Sequence, residues 1–84
     1  MNKTAVEPQI DEEGVTFTVE VGFIDRKCLV SKNALAYLRR MKGGQQDPME
    51  TYRAFEDQIH GVARRLVVAG VGGSPLILGA AYFV

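Results

Sequence analysis

Between positions 15 and 23 apolar and polar residues alternate without interruption: Val15, Phe17, Val19, Val21 and Phe23 against Thr16, Thr18, Glu20 and Gly22. A period of two is the signature of a strand with one face on a core and the other in water, because successive side chains leave a strand on opposite sides. An 84-residue chain has room for one hydrophobic core. The strand must therefore find its sheet partners and its cover within one small domain. A chain of this size buries only roughly 60 to 65% of its unfolded surface, so self-association is an expected source of further stability.

Asp25 and Arg26 stand where a two-residue hairpin turn would fall. That turn would pair Phe23 with Cys28 and Val21 with Val30, placing Cys28 and Val30 on the buried face. Ser31 is a natural N-cap for a helix whose apolar positions are Ala34, Leu35, Leu38 and Met41, with Gly43 and Gly44 as its stop. Asp47, Pro48 and Glu50 then form a capping box with proline at the first helical position. From there a stripe of Tyr52, Phe55, Ile59, Val62, Ala63, Leu66 and Val67 predicts one helix of about five turns, ending at Gly70.

Leu76 to Val84 is apolar, uncharged and of strand length, as a strand covered on both faces or at a subunit contact would be. The expected class is α+β with the order ββααβ: a small antiparallel three-stranded sheet with two helices packed on one face. Residues 1–13, acidic and containing Pro8, are expected to form a partly ordered arm, with a short edge strand through Val6 to Ile10 as the alternative, and residues 14–84 the single domain.

The stretch Leu66 to Val84 holds 19 uncharged residues behind Arg64 and Arg65, which in length alone would span a bilayer. The run Gly70, Val71, Gly72, Gly73, Ser74, Pro75 in its middle would break a helix halfway across and leave backbone groups unpaired in hydrocarbon. No membrane association is expected. A lone Cys28 forms no intramolecular disulfide and the N-terminus carries no secretion signal, so a cytoplasmic location is the expectation.

The segment "RKCLVSKNAL", residues 26–35, and the segment "YRAFEDQIHGVARRLVVAG", residues 52–70, resemble the family of short bacterial proteins known as domain of unknown function 1488. The first is similar to that family's cysteine-bearing strand running into a Ser-capped helix, and the second to its long helix closed by glycine. With the last strand, the resemblance covers about residues 13–84. It implies the same small fold and brings no activity. The chain departs from the family's pattern at Phe55 and Glu56, where a His and Arg pair is common, and at Arg26, where the hairpin usually has glycine.

No catalytic, metal-binding or cofactor-binding constellation emerges. His60 is the only histidine, so no multi-histidine metal site can form in one chain, and Glu56 one turn earlier offers it a surface partner. Cys28 would need a stabilised thiolate to act as a nucleophile, whereas the strand pattern places it in the core. The glycine run at 70–74 follows a helix and leads to a strand, the reverse of a phosphate-binding loop, and reads as a helix C-cap and turn. Asp11, Glu12 and Glu13 lack the spacing of a calcium loop.

Ten basic residues balance ten acidic ones, so there is no global field toward nucleic acid or an anionic surface. Their distribution is uneven: residues 26–42 contain Arg26, Lys27, Lys32, Arg39, Arg40 and Lys42 and no acid. Lys32, Arg39, Arg40 and Lys42 lie off the Leu35 and Leu38 stripe and are the candidate contacts for an anionic partner, with Tyr37 as a stacking platform. As a solvated face, the same cations would suit the helix C-terminus. The first functional expectation is a non-catalytic protein-interaction module, binding an unknown protein or itself through the apolar last strand. The alternative is a nucleic-acid-associated regulatory protein using residues 26–42.

Overall fold

A computed structural model describes residues 7–43 and 47–83. The chain is α+β. Strands β1 (Gln9–Asp11), β2 (Gly14–Val21) and β3 (Ile24–Ser31) are followed by helices α1 (Lys32–Lys42), α2 (Pro48–Ala54) and α3 (Glu56–Val68). Strand β4 (Leu76–Leu78) and a 3-10 helix (Ala80–Phe83) close the chain. The sheet has four strands in the order β1-β2-β3-β4, antiparallel except for the parallel pair β3-β4.

The alternating strand is β2, and its inner residues Val15, Phe17 and Val19 sit in the core. The hairpin turn, however, is Gly22 and Phe23, not Asp25 and Arg26. Both turn residues have positive φ, 60° and 66°, as a two-residue turn that follows the sheet's twist demands. Cys28 therefore pairs with Phe17 and Val30 with Val15, a shift of six positions from the expected register. Because the shift is even, Cys28 and Val30 keep the buried face that the pattern assigned them. Phe23 does not: it stands at the hairpin tip, 96% exposed.

Three further expectations are corrected. The segment assigned to the acidic arm supplies a fourth strand, β1, which overlaps the alternative edge strand only at Gln9 and Ile10 and is turned back onto β2 through Glu12 and Glu13; residues 1–6 lie outside the described residues. The last strand is antiparallel to nothing. Residues 32–75 carry the chain over the sheet in three helices, a crossover long enough to return β4 parallel to β3. Nor does that strand run to the end, for it stops at Leu78, and the 3-10 helix packs back against α1 with Phe83 buried; Val84 lies outside the described residues.

The long helix expected over 48–69 is two helices. At Phe55 the backbone leaves helical geometry (φ −116°, ψ 21°) and its N–H is shared between the Thr51 and Tyr52 carbonyls, both at 3.2 Å. Its half-buried ring packs against the core at this bend. The caps follow their sequence signals. Ser31 Oγ accepts from the Ala34 N–H at 3.1 Å. Asp47 and Glu50 make the reciprocal capping box at 2.7 and 3.1 Å. Gly43, at φ 76°, closes α1; Gly44 lies outside the described residues. Past α3, the Gly70 N–H reaches the Val67 carbonyl and the Val71 N–H that of Leu66, both at 3.0 Å, a Schellman ending with glycine in the left-handed position.

One core holds the molecule. The inner faces of β2, β3 and β4 meet Ala34, Leu35 and Leu38 of α1, Tyr52 of α2, Ile59, Val62 and Ala63 of α3, and Phe83. The other sheet face carries Thr16, Thr18, Glu20 and Lys27, with Leu29 buried beside Thr16 and Ile77 but outside that core. Among the described residues no helix is long and apolar enough to cross a membrane.

Candidate functional site

Helix α1 lies against β2 and β3 on its Ala34, Leu35 and Leu38 side and turns its basic residues outward. Lys32, Arg39 and Arg40 are all exposed. Lys42 is the helix's last residue, and its side chain lies outside the described residues. Tyr37 is half buried and packs against the core, so it is no open stacking platform.

Lys32, Ala36 and Arg39 stand four and seven residues apart, hence on one side of the helix. The first turn of α2 faces that side. Between the two helices lies an open cleft of about 200 Å³, lined by Lys32, Leu35, Ala36 and Arg39 from α1 and by Pro48 and Thr51 from α2. Its floor is apolar and its rim carries two cations. No carboxylate lines it, and neither cation has an ion-pair partner among the described residues. Thr51 is buried, its hydroxyl donating to the Asp47 carbonyl at 3.1 Å, so the α2 wall presents a satisfied polar group. The basic residues were legible in the sequence; Pro48 and Thr51 were not, because their part comes from the packing of α2 on α1.

On the other side of α2 is a polar cluster. Tyr52, fully buried, shares a 2.6 Å hydrogen bond with His60 Nε2. The imidazole stacks on the Phe17 ring, centroids 5.0 Å apart and planes 7° from parallel. Glu56 Oε2 is 4.0 Å from the same nitrogen. Burial lowers the His60 pKa and outweighs the opposing Glu56 carboxylate, while Arg64 lowers it further and Asp57 raises it. The contact suits either tautomer, since Nε2 can accept the Tyr52 O–H or donate to its oxygen, and the Tyr52 hydroxyl also interacts with Glu56. Burial pushes the Tyr52 hydroxyl well above the usual phenol range, and Glu56 adds to this. The pairing expected for His60 with Glu56 is present, and the ring is also bonded to Tyr52, eight residues away across the bend at Phe55.

Cys28 is fully buried, and burial raises its thiol pKa against the opposing Arg26; its Sγ donates to the Arg26 carbonyl at 3.6 Å. This is a core cysteine with little thiolate at neutral pH. Asp11, Glu12 and Glu13 are exposed at the β1–β2 turn, and no group of three metal-ligating side chains occurs among the described residues. A second depression of about 360 Å³ on the outside of the α2–α3 bend is lined by the consecutive residues Arg53, Ala54, Phe55, Glu56, Asp57 and Gln58. It is a notch in one segment, mixed in charge.

No protein-family model, curated protein or solved structure matches the chain.

Proposed function

We propose that the protein is a non-catalytic interaction module whose α1–α2 cleft takes an apolar side chain of a partner protein, flanked there by carboxylates. The observation that supports this is the joining of an apolar floor (Leu35, Ala36, Pro48) to a rim of two cations, Lys32 and Arg39, free of carboxylates. An apolar anchor would gain from leaving water, and charges at the rim would select acidic neighbours and speed encounter. The reading also takes the protein as a member of the domain of unknown function 1488 family and as cytoplasmic, with the reduced, buried Cys28 in keeping with such a compartment.

The cleft is favoured over the last strand because the apolar surplus of 76–83 is largely consumed inside the chain. Leu76, Leu78 and Phe83 are core residues, while Ile77 and Tyr82 remain about half exposed. It is favoured over a nucleic-acid surface because a duplex needs cations spread along its backbone, whereas Lys32 and Arg39 flank a single apolar hollow.

Selection from a displayed random-peptide library tests the proposal. The expected outcome is enrichment of sequences with one or two large apolar residues beside Asp or Glu. Synthetic copies should lose at least tenfold in affinity for the Arg39→Glu protein and weaken with salt. Peptides that bind Arg39→Glu equally well, or an empty selection alongside salt-sensitive binding of a DNA or RNA duplex, would overturn it.

A further inference from the structure

Phe23 is the most exposed large apolar side chain among the described residues, at 96%, and it holds a positive φ of 66° at the tip of the β2–β3 hairpin. A strained, water-facing ring brings its own chain no burial, and such an outlier points to a contact outside the chain. Ile24 beside it is exposed as well, and Gly22 before it has no side chain to obstruct approach to another surface. One register step below the tip, Glu20 and Asp25 stand directly opposite each other across the hairpin, both exposed. The tip is thus an apolar anchor flanked by carboxylates, the chemistry for which the α1–α2 cleft is suited. We propose that the occupant of this cleft is the hairpin tip of a second copy of the chain, with Phe23 in the hollow and Glu20 and Asp25 against Lys32 and Arg39.

The two surfaces match in size and in charge. A cavity of about 150 Å³ admits benzene, and the hollow between α1 and α2, at about 200 Å³, has room for a phenyl ring. Like charges directly opposed on a sheet repel, so cations brought up to Glu20 and Asp25 are favoured. Lys27 follows on the same sheet face and offsets part of that charge, while Arg26 takes the other face and donates to the Gly73 carbonyl at 3.5 Å. Lys32 and Arg39 start about 10 Å apart along α1, a span that their long side chains close around a narrow tip.

A chain cannot fill its own cleft. Strand β3 runs from the tip to the start of α1, so Phe23 and Lys32 stand at opposite ends of roughly 25 Å of strand. Tip and cleft are different surfaces, and two copies that exchange tips close the contact as a symmetric pair. One ring and two charge pairs make a contact smaller than a stable dimer needs, so it forms in concentrated solution and not in a dilute denaturation experiment.

Two variants separate the halves of the contact. Phe23→Asn keeps the cleft and loses the ring; Arg39→Glu keeps the tip and reverses the rim. Backbone amides of Leu35, Ala36 and Thr51 would be followed by NMR in isotope-labelled Phe23→Asn. Unlabelled Arg39→Glu protein added to about 1 mM should shift them, because it brings an intact tip to an intact cleft, whereas unlabelled Phe23→Asn should leave them still. With the label moved to Arg39→Glu, the amides of Gly22, Phe23 and Ile24 should shift on addition of Phe23→Asn. Cleft amides that ignore the Arg39→Glu protein, or that respond equally to a Phe23→Asn partner, would overturn the proposal. Self-docking presupposes the cleft as a binding surface, and a synthetic peptide of leucine flanked by glutamates, added to labelled Phe23→Asn, tells the two apart. Shifts with the peptide but not with Arg39→Glu protein sink self-docking alone; silence with both sinks the cleft as well.

Discussion

Gly14 opens β2 at φ 152°, and a Cβ there would collide with the Val30 carbonyl oxygen of the neighbouring strand. That close approach is backbone against backbone, so no side-chain rotation relieves it. Gly14→Ala should lower stability by at least about 2 kcal/mol, read from the urea midpoint. Phe23 is the opposite case. It holds a left-handed conformation at φ 66° while 96% exposed, paying strain for no burial. Asn tolerates that conformation, so Phe23→Asn should raise stability by about 1 kcal/mol. A loss in the same denaturation experiment would show that the ring is held by the fold. The local sequence also points away from this turn. Gly22 was a usable signal, but the alternation running through Phe23 reads as a continued strand, and a phenylalanine in a tight turn defies propensity.

Among the elements, those with local signals were legible and those set by packing were not. The Ser31 cap, the Asp47 to Glu50 box and the Gly43 and Gly70 endings are short-range chemistry, and each stands where the residues place it. The bend at Phe55 has neither proline nor glycine near it, since none occurs from 49 to 60. It arises as Tyr52 and Ile59 both seat in the core, with Phe55 half buried between them. Likewise β1 is only an alternative in the sequence, because exposed Gln9, Ile10 and Asp11 show no buried face; pairing with β2 makes them a strand. Helix α2 carries the prediction at this scale. Asp47→Ala removes the side-chain acceptor of the Glu50 N–H and should cost about 1 kcal/mol by thermal denaturation. Because Pro48 and Thr51 follow that cap, the same variant should weaken peptide binding at the cleft without touching Lys32 or Arg39.

For the whole molecule, the charge balance of ten against ten conceals a division of labour. The sheet face opposite the helices is mainly polar, the helix layer closes one core, and the basic residues of α1 gather where α2 leaves an apolar hollow. Half of the site was therefore visible in the spacing of Lys32 and Arg39, and the other half existed only once α2 had packed. The central claim is that this hollow is where a partner binds. Its most direct measurement is amide chemical-shift mapping as the protein is titrated with a synthetic peptide of leucine flanked by glutamates. The account predicts shifts clustered on Lys32, Leu35, Ala36, Arg39 and Thr51, with affinity falling at least tenfold in Arg39→Glu. Shifts centred on Ile77 and Tyr82, or a peptide that leaves α1 and α2 unmoved, would contradict it.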